Sequence, residues 1–241
     1  MITKSIPSLL TIANLSLGVI SILLVFNERA SLAAIMVIIA MLLDGVDGRI
    51  ARALKAESEF GKELDSLADV VSFGVAPAFI MYVVAMQDVS PVIAYAVTAL
   101  FPVCGALRLA RFNVKPGRPG YFTGLPIPAA GGILASVALF QEELSWIVIL
   151  ITAVCLSFLM ISNIRFPNFK KIGIPKGSIW LIPFIIIIAL IIGIMFEEHL
   201  SKVFFIPIGL YVLYGINKTI RRRMKKSSIE DDEEDQAEKH A

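Results

Sequence analysis

Apolar runs of membrane-spanning length, separated by short polar stretches, recur along nearly the whole chain. They predict eight helices, over about 7–26, 31–53, 60–86, 91–111, 126–140, 145–163, 178–196 and 203–218. A helix of about 20 apolar residues crosses the hydrocarbon of a bilayer, and most of these runs meet that length. The fifth run is short, so it is expected to tilt or to extend toward Gly124 or Glu142. Outside the runs there is no apolar-patterned stretch long enough for a second core. The expectation is an all-α polytopic membrane protein, a bundle of about eight transmembrane helices occupying residues 1–218, followed by a tail over 219–241.

Composition agrees with the pattern. The 241 residues are 57% hydrophobic, with a mean hydropathy of +0.79, far above a soluble domain. Lys4 ahead of the first run has the look of a secretory signal, but Asn14 interrupts the run and no small-residue cleavage pattern follows it, so the run is kept as a span. Cys104 and Cys155 lie inside apolar runs without metal-ligand spacing, which argues against a disulfide or a zinc site.

Charge placement orients the bundle. Of the 22 lysines and arginines, all but Arg29 and Lys202 fall on the side that holds the N-terminus in an eight-span layout. Basic loops face the cytoplasm, so both termini are expected there, in a protein of the cytoplasmic membrane. The tail turns from basic (KTIRRRMKK) to acidic (EDDEEDQAEKH). Its first half is suited to anionic lipid, and its second half is expected to be solvated and disordered.

One stretch breaks the apolar pattern in a way that carries chemistry. DGVDGRIARALKAESEFGKELDSLAD, residues 44 to 69, places Asp44 and Asp47 at the end of the second run and Asp65 and Asp69 at the start of the third. An Asp at the centre of a membrane helix costs about 2.5–3.5 kcal/mol, so four of them demand compensation. Helical spacing puts Asp44, Asp47, Gly48 and Ala51 on one face, and Gly61, Asp65 and Asp69 on one face of the next helix. Carboxylates so arranged cannot all stay ionised at close range without cations between them. An oxygen-only donor set suits Mg²⁺ or Mn²⁺, with room for two ions. Acids lining a divalent-cation transport path would instead be spread over several spans, and Arg52 beside them would repel a passing cation. Outside this stretch the acids, Glu28, Asp88, Glu142, Glu143, Glu197, Glu198 and those of the tail, fall in expected loops or ends.

Asp44-x-x-Asp47-Gly48-x-x-Ala51-Arg52, eight residues, then Gly61-x-x-x-Asp65-x-x-x-Asp69 resembles the signature of the CDP-alcohol phosphotransferase family at every specified position. That resemblance implies an enzyme that moves a phosphatidyl or similar group from a CDP-linked lipid to an alcohol and releases CMP. It implies that Asp44, Asp47 and Asp65 hold the metals, and that Asp69 completes the metal site and accepts the proton of the attacking hydroxyl. The two histidines fit that role poorly, since His199 is expected on the far side and His240 lies in the tail. Gly48, Ala51, Arg52 and Gly61 resemble the positions that meet the CDP-lipid. Thr11 and Asn14, polar residues one turn apart in the first span, join them on the same resemblance, although hydrogen bonding between helices explains them equally well.

RLARFN (108 to 113) and PGRPGYFTGLPIPAAGG (116 to 132) resemble the serine-using class of the family, the phosphatidylserine synthases. On that resemblance Arg108, Arg111, Asn113 and Arg118 are candidates for binding the serine carboxylate or a lipid phosphate. Cations at cytoplasmic helix ends are also expected from topology alone. The partners implied are CDP-diacylglycerol, L-serine, membrane lipids and a second copy of the chain, with no nucleic acid. Glycerol phosphate and inositol phosphate are the alternative acceptors.

Overall fold

The computed structural model describes residues 2–54, 56–114 and 121–167, with the side chains of residues 2–6, 121, 122 and 165 left aside. Within them the chain is helical, apart from one short ribbon. Helix α1 (Ile2–Phe26) turns through Asn27 and Glu28 into α2 (Ala30–Ala53), and the two pack as an antiparallel hairpin. The third run is one continuous rod made of α3 (Glu59–Asp69), a π-helical segment (Val70–Val75) and α4 (Ala76–Ala85). Helices α5 (Pro91–Val114), α6 (Ile127–Ala138) and α7 (Trp146–Ile161) follow.

Four of these rods are long and apolar enough to cross a membrane: Pro7–Phe26, Ala30–Ala53, Glu59–Ala85 and Pro91–Val114. This is an integral membrane protein by the length and composition of its helices. The fifth and sixth expected spans are the shorter apolar helices α6 and α7. The spans expected over 178–196 and 203–218, Arg118, and the tail lie outside the described residues.

Helix α6 is short because its missing turns are replaced by buried irregular chain. Gly124 and Leu125 are buried, and their N–H groups donate to Ile164 O (2.8 Å) and Leu159 O (3.0 Å). Non-helical backbone is tolerated at such depth only when protein satisfies it. A two-stranded antiparallel ribbon, which the apolar pattern does not predict, closes this end: β1 (Tyr121–Thr123) pairs with β2 (Arg165–Pro167).

The core lies where α2, the π-helical segment, α4, α5, α6 and α7 meet, around Phe73, Ile80, Met81, Phe101, Ile127, Leu134 and Met160. Bare backbone lets the rods approach at the π-helical segment. A Cβ on Gly18 of α1 would sit 2.5 Å from Ser72 Oγ, and one on Gly131 of α6 would run into the carbonyl of Phe73. Small residues at such crossings are the usual means by which membrane helices pack closely.

Candidate active site

The apolar hairpin α1/α2 and the rod that begins with α3 bring the two halves of the acidic stretch to one end of the bundle. Helix α3 starts at Ser58, whose Oγ caps the helix by accepting from Gly61 N at 3.0 Å. From that start its inner face delivers Asp65 and Asp69 toward α2. One carboxylate oxygen from each of Asp44, Asp47 and Asp65 lies within 4.8 Å of the other two. A six-coordinate Mg²⁺ spans about 4.2 Å between opposite oxygens, so a small side-chain rotation closes this set around an ion.

Asp69 lies one turn beyond Asp65 and is buried, 7% exposed. The carboxylates of Asp44, Asp65 and Asp47 act on it, as does the guanidinium of Arg108, itself 7% exposed. Asp69 Oδ1 is buried without a hydrogen-bond partner among the described residues. A buried carboxylate oxygen in that condition is costly until a cation or a proton meets it. The donor set therefore fits a hard divalent cation.

The remaining expected residues fall in different settings. Thr11 reaches the site from α1, its Oγ1 donating to Asp47 Oδ2 at 3.2 Å and lying 3.1 Å from Pro7 O. Asn14, one turn on, is fully buried, and neither its Oδ1 nor its Nδ2 has a partner among the described residues. Gly48 borders open space: a Cβ there would meet only Arg52 Nη1, at 3.6 Å. No packed helix requires that glycine, in contrast to Gly18 and Gly131. Ala51 is half-buried and Arg52 is exposed, close enough to Asp47 to act on its charge. Gly61 belongs to the α3 cap, since a Cβ on it would press to 3.1 Å from Ser58 Oγ.

The end of α5 carries the expected acceptor-binding cluster, and the structure divides it. Arg108 faces Asp69. Asn113 Nδ2 instead donates to Ser66 Oγ of α3 at 3.0 Å. Arg111 turns away toward α7 and β1: Nη1 donates to Ile161 O (2.9 Å) and Asn163 Oδ1 (3.5 Å), and Nη2 to Ser162 O (3.2 Å), Thr123 O (3.3 Å) and Met160 O (3.5 Å). Sequence reasoning passed over Ser66 and Ser72, whose Oγ donates to Asn14 O at 2.9 Å. The available signal was a serine directly after Asp65 and another about one helical turn after Asp69.

A family model for CDP-alcohol phosphatidyltransferase matches residues 4–159. The chain belongs to that family. The match takes in nearly all of α1 through α7, including every described residue assigned above to the site except Met160, Ile161, Ser162 and Asn163. Relatives named CDP-diacylglycerol–serine O-phosphatidyltransferase are found in Helicobacter pylori strain 26695, 37% identical over 87% of this chain and 89% of the relative, and in Bacillus subtilis strain 168, 39% identical over 69% and 92%. An archaetidylserine synthase of Methanothermobacter thermautotrophicus is 42% identical over 70% of this chain and 72% of its own. The family is one of transferases.

Proposed function

We propose that this CDP-alcohol phosphatidyltransferase transfers the phosphatidyl group of CDP-diacylglycerol to the hydroxyl of L-serine, yielding phosphatidylserine and CMP. The observation that carries the proposal is the convergence of Asp44, Asp47 and Asp65 beside the buried Asp69 and Arg108, in a chain whose curated relatives carry the serine acceptor in their names. Asp44, Asp47 and Asp65, completed by Asp69, would hold Mg²⁺ or Mn²⁺, two ions being the expected number. When bound, the metal neutralises the pyrophosphate and stabilises charge developing on the leaving CMP.

The chain's own residues do the rest. The open backbone at Gly48 and Ala51 leaves room for CDP, and the exposed Arg52 guanidinium pairs with phosphate oxygens. Thr11, with Asn14 behind it, lines the α1 side of the nucleotide, and Gly61 sets the α3 end that faces it. Serine enters beside Arg108, whose charge suits a carboxylate. Its hydroxyl attacks the lipid-bearing phosphorus, Asp69 takes the hydroxyl proton, the new ester O–P bond forms, and the bond to CMP breaks. The catalytic unit is residues 1–218, with the tail serving the cytoplasmic membrane surface. Both termini and the site face the cytoplasm, and the enzyme works as a homodimer.

The test is incubation of purified protein with CDP-diacylglycerol, Mn²⁺ and a panel of alcohols, following CMP release. Serine is expected to drive release. Release driven by glycerol phosphate or inositol phosphate, with serine inert, would reassign the acceptor within the family.

A further inference from the structure

Arg111 sits one turn beyond Arg108 on α5, yet its guanidinium points at the opposite wall. Its Nη groups meet four backbone carbonyls and the Asn163 side chain, at the end of α7 and on β1. The last carbonyls of a helix lack intrahelical partners, and Met160, Ile161 and Ser162 supply three of them here. A guanidinium carries four Nη hydrogens in a rigid fork, and all four have acceptors in this junction. The chain is fitted to the arrangement from the backbone side as well. Gly124 adopts φ +79°, and a Cβ there would stand 3.0 Å from Arg111 Nη2 and collide with Met160 O. On the other flank, Asn113 ties the same end of α5 to Ser66, the residue after Asp65.

We propose that Arg111 is a positioning residue: by binding the carbonyl end of α7 and the edge of β1, it fixes the last turns of α5 and so the placement of Arg108 beside Asp69. Asn113 braces the same turns against α3. This rests on the transferase reading above, and it gives Arg111 a task other than gripping the acceptor's carboxylate.

The experiment compares Arg111→Ala, Gly124→Ala and Asn113→Ala in detergent-purified, full-length protein, with Mn²⁺ and the alcohol that the wild-type enzyme turns over. If wild type does not use serine, the acceptor assignment fails, and the brace is tested with the alcohol it does use. In folded variants, kcat is expected to fall about 10- to 100-fold, as misplacement by an ångström does, while KM for the acceptor stays within about threefold. Gly124→Ala removes no charge, so a matching loss there marks the junction as the cause. Asn113→Ala, the mildest change, gives the same reading if the other two fail to fold. A rise of about tenfold or more in acceptor KM with kcat preserved in Arg111→Ala would overturn the proposal. So would a lowered melting temperature with unchanged kcat per folded enzyme.

Discussion

At the scale of single residues, the proposed roles divide the acids into metal holders and one base. Asp69 is a buried neighbour of a three-carboxylate cluster, with one oxygen lacking a partner among the described residues. If it acts chiefly as base, Asp69→Asn keeps its affinity for CDP-diacylglycerol and Mn²⁺ while CMP release at saturating serine falls about 10²- to 10⁴-fold. Loss of lipid binding across a Mn²⁺ titration would place Asp69 in the metal shell instead. Asp65→Asn removes a charged oxygen that its neighbours cannot replace, and CMP release is expected to drop at least about 10²-fold with little recovery in excess Mn²⁺. Near-normal turnover in that variant would remove the metal-centre reading. The four aspartates were legible from spacing because helix periodicity alone puts them on facing sides. The partners of Arg111 and Asn113 were not, since they belong to segments about 10 to 50 positions away along the chain and depend on how the helices pack.

At the scale of elements, the glycines divide into two kinds that the sequence writes with one letter. Gly131 and Gly18 touch the π-helical segment so closely that a methyl group has no room, whereas Gly48 faces open space. Gly131→Ala is therefore expected to destabilise by about 1–3 kcal/mol, the usual cost of overpacking, read as a lower melting temperature in detergent. Gly48→Leu should leave the melting temperature unchanged and weaken CDP-diacylglycerol binding, because its side chain would grow into the open space proposed for CDP. A lowered melting temperature with intact binding would make Gly48 a packing residue. The six described rods, with α3, the π-helical segment and α4 taken as one, lie within a few residues of the apolar runs that predicted them, and hydrocarbon thickness sets the length of the four long ones. The π-helical segment and the β1/β2 ribbon escaped that reading. A π turn is rare and tends to mark functional sites; this one begins right after Asp69 and is gripped by α1, α5 and α6. Nothing in VVSFGV distinguishes it from ordinary helix.

At the scale of the whole molecule, the alternation of helices puts the ends of α2, α5 and α7 and the start of α3 on one side of the bundle, with the acidic cluster among them. On the basic-residue bias, that side is the one proposed to face the cytoplasm. In a Cys155→Ser background, Asp88→Cys in the α4–α5 turn is expected to react with an impermeant maleimide in intact cells. Glu57→Cys, between α2 and α3, should react only after permeabilisation. The reverse pattern would invert the protein and place the site on the outer face. The central claim, phosphatidyl transfer to serine at this cluster, is tested most directly by product stoichiometry. Purified protein is given CDP-diacylglycerol, Mn²⁺ and labelled serine, and CMP is counted against lipid-extractable phosphatidylserine. The account predicts one phosphatidylserine for each CMP, with both products abolished by chelator. CMP released without labelled lipid, or transfer that persists in chelator, would contradict it.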